Sequence, residues 1–221
     1  MLARSSRRAG WPRYDHDMPL SVVPIVPKLT AEERAREIKL ILFDVDGVLT
    51  DGAIIVHPNP DGTATEVKHF SAHDGLGVSL ARLAGLRIGW VTKRNSATVS
   101  VRARDLKIEF LYQGQSHKMQ AVEEILVKAG LTMPQVAYVG DDIVDLPVMR
   151  LAGLAIASAN ARPQVKAAAH WVTPHAGGQG AGRDAIDFIL AAQELLDDVI
   201  EQYLDPSNNA AKLADIGTGN M

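Results

Sequence analysis

The sequence predicts a doubly wound α/β fold, three α/β/α layers around a parallel sheet, on three observations. Short apolar runs alternate with amphipathic stretches of helical period, the connections between them are short, and several apolar runs end on polar residues able to do chemistry. A chain of 221 residues that is 47% hydrophobic and 22% charged has material for one α/β core plus tails.

Residues 1–37 read as a loose N-terminal extension. Arg4, Arg7, Arg8 and Arg13 precede no apolar segment of signal-peptide length, and Pro19, Pro24 and Pro27 interrupt the hydrophobic stretch that follows. The folded domain is expected over 38–204. Its first strand, Leu40-Ile41-Leu42-Phe43, runs into Asp44-Val45-Asp46-Gly47. Segments 53–57 and 65–70 then flank Pro58-Asn59-Pro60-Asp61-Gly62, a turn-rich centre that predicts a β-hairpin flap over about 53–70. A helix over 76–84 passes through Gly85 into a strand over 87–91. Next come a helix over 96–106, a strand over 109–112, a helix over 116–129 and a strand over 136–140. Residues 143–151 look helical, 155–157 and 171–173 read as short strands, and an amphipathic helix covers about 183–203. With Pro206, Ser207, Asn208, Asn209, Gly217 and Gly219, segment 205–221 reads as a disordered tail. The rhythm is that of a Rossmann-like sheet.

A net charge of −3 and a pI near 6.2 argue against nucleic-acid binding through an overall basic surface. No run of about 18 apolar residues occurs, so no membrane span is expected. The absence of cysteine excludes disulfides and thiolate metal sites and fits a reducing, cytoplasmic setting. His69, His117, His170 and His175 lack the spacing of a histidine metal site.

In a doubly wound sheet the ligand site lies beyond the carboxyl ends of the strands, which topology brings together however distant they are in sequence. The first strand delivers Asp44 and Asp46, the second ends on Thr92-Lys93-Arg94, and the fourth on Gly140-Asp141-Asp142 with Asp145 close behind. Lys118 falls in the first turn of the helix after the third strand. Taken singly, each has an ordinary reading as a turn acid, an N-cap or a surface cation. Together they suit a phosphate and Mg²⁺, because a hard cation takes carboxylate and carbonyl oxygens and a phosphoryl group in transfer is stabilised by fixed positive charge.

These four motifs resemble those of the haloacid dehalogenase-like phosphatase superfamily over roughly residues 38–200. The resemblance implies that Asp44 is the nucleophile forming an aspartyl-phosphate and that Asp46 protonates the leaving oxygen and then activates water. It places Asp44, the Asp46 main-chain carbonyl and Asp141 on Mg²⁺, with Thr92 and Lys118 on the phosphoryl group and Asp142 and Asp145 in support. A finer resemblance is to the 3-deoxy-D-manno-octulosonate 8-phosphate phosphatases. It is carried by Asp46-Gly47-Val48-Leu49-Thr50-Asp51-Gly52, Val67-Lys68-His69-Phe70, His73-Asp74-Gly75, Leu111-Tyr112-Gln113-Gly114-Gln115-Ser116-His117-Lys118 and Gly177-Gly178-Gln179-Gly180-Ala181. This implies a hydrolase of a small acidic sugar phosphate in lipopolysaccharide precursor synthesis, with the hairpin in place of a cap and a homotetramer completing the sites.

Two positions depart from the pattern: Lys93 stands where Thr-Gly-Arg is usual, and His73 where Arg-Asp-Gly is usual. Because glycine allows positive φ and close backbone approach, Lys93 is expected to reshape the pocket. Candidate substrate contacts are Lys93, Arg94, Lys68, Asp74 and Arg183. Other readings are a phosphatase of a nine-carbon 2-keto-3-deoxy sugar phosphate, a receiver-type phospho-acceptor domain, and a non-catalytic oligomerisation domain. The receiver reading wants an acceptor Asp ending the third strand, and segment 109–113 offers none. The scaffold reading wants the first two acids lost, and both are present.

Overall fold

Four consecutive apolar residues, Leu40–Phe43, form the central strand β1 of the computed structural model, which describes residues 29–214. A helix α1 (Ala31–Ala35) precedes it, started by a capping box between Thr30 and Glu33. There follow the hairpin β2 (Ile55–Pro58) and β3 (Ala64–Val67), then α2 (Ala72–Leu83), β4 (Arg87–Val91), α3 (Ala97–Asp105), β5 (Phe110–Tyr112) and α4 (Lys118–Ala129). Beyond it lie β6 (Val136–Gly140), α5 (Leu146–Met149), β7 (Leu154–Ala157), α6 (Pro163–Ala168), β8 (Trp171–Val172), α7 (Ala181–Ala192), α8 (Leu196–Leu204) and α9 (Asn209–Ala214).

The main sheet has the order β5-β4-β1-β6-β7-β8 and is parallel throughout. Alternation along β1 divides its side chains between two cores. Ile41 and Phe43 join Ile88, Trp90, Val139 and Ile156 under α1, α2, α3, α7 and α8. Leu40 and Leu42 join Val91, Tyr138 and Ala155 under α4, α5 and α6. All of β1 is buried, as a strand covered on both faces must be. The hairpin is a separate antiparallel pair, and a Thr50–Phe70 bridge closes its base.

The three-layer class agrees with the sequence pattern, whereas several boundaries differ for identifiable reasons. The helix expected from 76 starts at Ala72 because Ser71 caps it, its hydroxyl accepting from His73 N at 3.2 Å. Segment 143–151 is a 3₁₀ turn, Ile143–Asp145, followed by the short α5 with Pro147 in its first turn. The single helix expected over 183–203 is two, broken where Glu194 takes φ +59°. Neither glycine nor proline marks that break, so it had no local signal. Helix α6 was not anticipated. Of the stretches read as extension and tail, 1–28 and 215–221 lie outside the described residues, while α1 and α9 occupy part of the remainder.

Gln193 makes the α7–α8 break useful by donating from Nε2 to Ala35 O at 3.0 Å and Ile38 O at 2.8 Å, tying the end of α7 to the entry of β1. Gln193→Leu removes both bonds and takes from Ile38 O the side-chain donor it has, while Ala35 O keeps Ile38 N at 3.2 Å, so a loss of about 1–3 kcal/mol is expected. A lowered urea midpoint at unchanged m value is the check.

Candidate active site

Asp44 leaves the end of β1 with its N–H still bonded to Val139 O at 2.9 Å, so its carboxylate emerges between β1 and β6. The chain then turns sharply, Val48, Leu49 and Thr50 all donating to Val45 O. Gly47 sits at φ +92°, and a Cβ there would collide with the Asp141 carboxylate, so glycine is what admits both acids to one space. Asp141 and Asp142 follow the neighbouring strand β6, and Lys118 opens α4.

Lys118 is buried, with its ammonium 2.8 Å from Asp44 Oδ2 and 2.6 Å from Asp145 Oδ1. Asp145 is fully buried and already saturated: Lys118 and Tyr138 OH donate to Oδ1, and Asp141 N and Asp142 N to Oδ2. Asp44 Oδ1 accepts from Val45 N at 2.7 Å. Asp141 Oδ1 is buried with no hydrogen-bond partner. Carboxylate oxygens of Asp44, Asp141 and Asp145 lie within 4.8 Å of one another.

Three acids around one ammonium leave two negative charges uncompensated. Burial, then the Asp145 charge, push the Asp44 carboxyl up to about 7 despite Lys118. Burial, then Asp44 and Asp145, push Asp141 up to about 8. Burial also works against the Lys118 cation, but Asp44 and Asp145 overcome it and raise its pKa. The donor set is what a hard divalent cation takes: carboxylate oxygens, one of them an orphaned buried acceptor, with spare negative charge. Asp44 and Asp141 have the free lone pairs. Asp145 does not, although its distance alone would qualify it, and it serves better as an anchor for Lys118 and for the turn after β6.

The Asp46 carboxylate points elsewhere. It hydrogen-bonds to Lys68 and lies 3.8 Å from Arg94 Nε, away from the Lys118 cluster. Thr92 is buried at the end of β4, its N–H on Tyr112 O and its hydroxyl accepting from Arg94 N at 3.4 Å. Of the expected substrate contacts, Lys68 and Arg94 reach Asp46, while Lys93 is exposed. Its backbone is not at positive φ, so lysine replaces glycine there without strain. Asp74 and Arg183 lie on the contact between α2 and α7. Asp74 Oδ1 accepts from Arg183 N at 2.8 Å, and Arg183 Nε bonds the Asp187 carboxylate at 2.7 and 2.8 Å. Burial pushes Asp74 up to about 6, and its Oδ2 has no hydrogen-bond partner. Asp142 is exposed and caps the turn at Ile143 N.

The glycine-rich segment packs on the loop after β1 of its own chain. Gly178 N donates to Val48 O at 3.3 Å, and a Cβ on Gly177 would strike the Gly47 carbonyl. Ser158 Oγ and Asn160 Nδ2 both donate to Gly47 O, at 3.1 and 2.9 Å, and Asn160 Oδ1 accepts from Gly177 N. No motif singles out Ser158 and Asn160. The usable signal was their position just past β7, one more carboxyl end on the same side of the sheet.

A family model described as haloacid dehalogenase-like hydrolase matches residues 90–182. The 3-deoxy-D-manno-octulosonate 8-phosphate phosphatase of Salmonella typhimurium is 40% identical over 181 residues, 82% of this chain and 93% of the relative. The chain belongs to the 3-deoxy-D-manno-octulosonate 8-phosphate phosphatase family. The Escherichia coli K12 relative is 41% identical over 77% of this chain and 89% of its own length. Among solved structures, the Moraxella catarrhalis phosphatase in complex with magnesium, phosphate and KDO superposes with a TM-score of 0.73 at 38% identity, covering 78% of this chain and 97% of that one. A cobalt-bound Haemophilus influenzae relative gives 0.69 at 36% identity, covering 78% and 95%.

The raised carboxyls fix the sign of a stability change. Asp44 and Asp141 titrate above the ordinary 3.8, so between about 4 and 8 the folded state holds more protons than the unfolded chain. Metal-free protein is therefore expected to lose thermal stability as pH rises through that window. Added Mg²⁺ should restore stability most at the alkaline end, and Asp141→Asn should raise the Tm of metal-free protein at pH about 8. Scanning fluorimetry across pH with EDTA or Mg²⁺ checks this, and a Tm flat with pH would contradict the uncompensated cluster.

Proposed function

We propose that this chain is a Mg²⁺-dependent phosphomonoesterase that hydrolyses 3-deoxy-D-manno-octulosonate 8-phosphate through an aspartyl-phosphate on Asp44. The single observation that carries the reading is the separation of two acids two positions apart. Asp44 is buried on Lys118 beside Asp141, whereas Asp46 is turned away onto Lys68 and Arg94. A nucleophile needs an ionised oxygen, which the Lys118 ammonium and a bound cation favour on Asp44 against its burial, and a proton carrier must be free of the metal, so the two placements suit two different tasks.

Asp44 and Asp141, with the Asp46 main-chain carbonyl, are the groups suited to hold Mg²⁺. When bound, the ion neutralises the two spare charges and stabilises charge on the phosphoryl oxygens. Lys118 and the Thr92 hydroxyl supply the chain's own positive and hydrogen-bonding groups to those oxygens. The Asp44 oxygen forms a bond to phosphorus as the bond to the ester oxygen breaks, and protonated Asp46 gives its proton to that oxygen. Asp46, now ionised, takes a proton from water as the hydroxide attacks phosphorus, which releases phosphate and restores Asp44. Exposed Lys93 and Arg94 border this site from the β4 end and suit the carboxylate of an acidic sugar.

Asp44→Asn is expected to abolish turnover, and Asp46→Asn to lower kcat by about 10²–10⁴-fold, as loss of a positioned proton carrier does. Phosphate release from 3-deoxy-D-manno-octulosonate 8-phosphate measures both. Near-native hydrolysis by Asp44→Asn would end the nucleophile assignment.

The hairpin is too small to cover the site, and it exposes Ile54 and Val56 at 61% and 52%. We infer that these side chains pack between subunits of a homotetramer. Replacing both with Asp should lower the mass in sedimentation equilibrium below that of four chains, and a wild-type monomer would refute the assembly.

A further inference from the structure

Glu66 lies on β3, and its carboxylate is gripped by the 94–96 segment after β4 and by Lys68 just past its own strand. Ser96 Oγ donates to Oε2, Arg94 Nη2 approaches Oε1 at 2.6 Å, and Lys68 Nζ lies 3.4 Å from the same oxygen. Its main-chain carbonyl accepts from Thr98 Oγ1 at 3.0 Å. Both cations also face Asp46: Lys68 bonds Oδ1, and Arg94 Nε stands 3.8 Å from Oδ2. Two carboxylates thus share two cations, one of them a lysine whose side chain is 1% exposed.

We infer that Glu66 is a positioning residue for Asp46: it fixes Lys68 and Arg94, and through them holds the Asp46 carboxylate at the leaving-group side of the site. Asp46 follows a strand end on a loop, and the protein groups that orient its carboxylate are Lys68 and Arg94. Each of those cations sits on a flexible stem and needs a second anchor to be an orienting group rather than a mobile counter-charge. Glu66 is that anchor. Ser96 in turn fixes Glu66 to the body of the fold, because it is the N-cap of α3, its hydroxyl accepting from Val99 N at 3.4 Å. Burial works against the Glu66 charge, but Ser96, Arg94 and Lys68 outweigh it and hold the carboxyl below its usual range, so the clasp is a charged one. A two-stranded hairpin is marginal by itself. Its side-chain and main-chain bonds to α3 at Glu66 therefore place β3, which Lys68 directly follows, as well as the lysine.

The inference rests on Asp46 as the proton carrier, and a test can separate the two ideas. A misaimed proton carrier slows departure of a basic alkoxide more than that of p-nitrophenolate, which leaves without a proton; a general loss of structure slows both alike. kcat/KM for 2-phenylethyl phosphate and for p-nitrophenyl phosphate, with Mg²⁺, is the measurement, because it reports the steps up to departure of the leaving group and not the later hydrolysis common to both esters. Glu66→Gln keeps the shape and removes the charge, and it should lower the alkyl-to-nitrophenyl ratio by about tenfold or more. Ser96→Ala leaves Glu66 itself intact and should lower the ratio in the same direction by a smaller factor, which keeps the test available if Glu66→Gln does not fold. Asp46→Asn sets the full size of the effect. Equal loss on both esters, or an unchanged ratio in both variants, would overturn the clasp. A wild-type protein inactive on both esters, or an Asp46→Asn ratio equal to wild type, would instead overturn the reading of Asp46.

Discussion

The contact on which the site depends is the buried Lys118 ammonium between Asp44 and Asp145. A lysine with two carboxylates in a dry interior is held by charge on both sides, and removing the ammonium would leave buried negative charge uncompensated at a cost of about 3–5 kcal/mol. Asp145 does more than neutralise: it also takes Tyr138 OH and the N–H groups of Asp141 and Asp142, so the ammonium, the turn after β6 and the Asp141 backbone form one unit. Asp44 is set against that unit by the β1–β6 register, in which Phe43 lies beside Val139. Parallel neighbours with short turns are what bring these groups within a few ångströms.

The cluster is stable only in part, and that imbalance serves the chemistry. Asp44 and Asp141 are pushed up towards neutrality by burial and mutual repulsion, and Asp141 Oδ1 has no partner. A site satisfied by its own protons and hydrogen bonds would gain little from a cation. Here the folded chain keeps an acceptor without a donor and two carboxyls whose ionisation burial resists, so a cation that takes the place of their protons is favoured. The surrounding braces prevent its relief. Ser158 and Asn160 pin Gly47 O, the glycine-rich segment lies on the loop, and Gly47 itself leaves no side chain in the way.

Much of this was legible in the sequence because strand ends carry a rule of their own. An apolar run that stops on Asp-x-Asp-Gly, followed at later strand ends by Thr92 and by Asp141, Asp142 and Asp145, identifies groups that a doubly wound sheet must bring to one side. Helix α4 likewise read clearly, since its apolar period ends at Gly130 in the left-handed region. The α7–α8 break did not, because Glu194 takes positive φ with no glycine or proline beside it to mark the turn. Glu66 had one faint mark. It stands two residues before Lys68, hence on the same side of an extended strand, but nothing local says that the hairpin folds towards Ser96 and Arg94.

The sequence by itself determined the fold class, the order of the elements and the chemical types gathered at the strand ends, because periodicity and turn residues are local properties. Only the tertiary structure decided which acid meets which cation. Asp44 and Asp46 are two positions apart and chemically identical, yet one faces Lys118 and Asp141 while the other faces Lys68 and Arg94. That division is set by the turn at Gly47 and by partners 20 to 100 residues away, whose distance from each carboxylate depends on sheet order and hairpin placement. Charge interactions fall off with separation in space, and separation along the chain does not predict it.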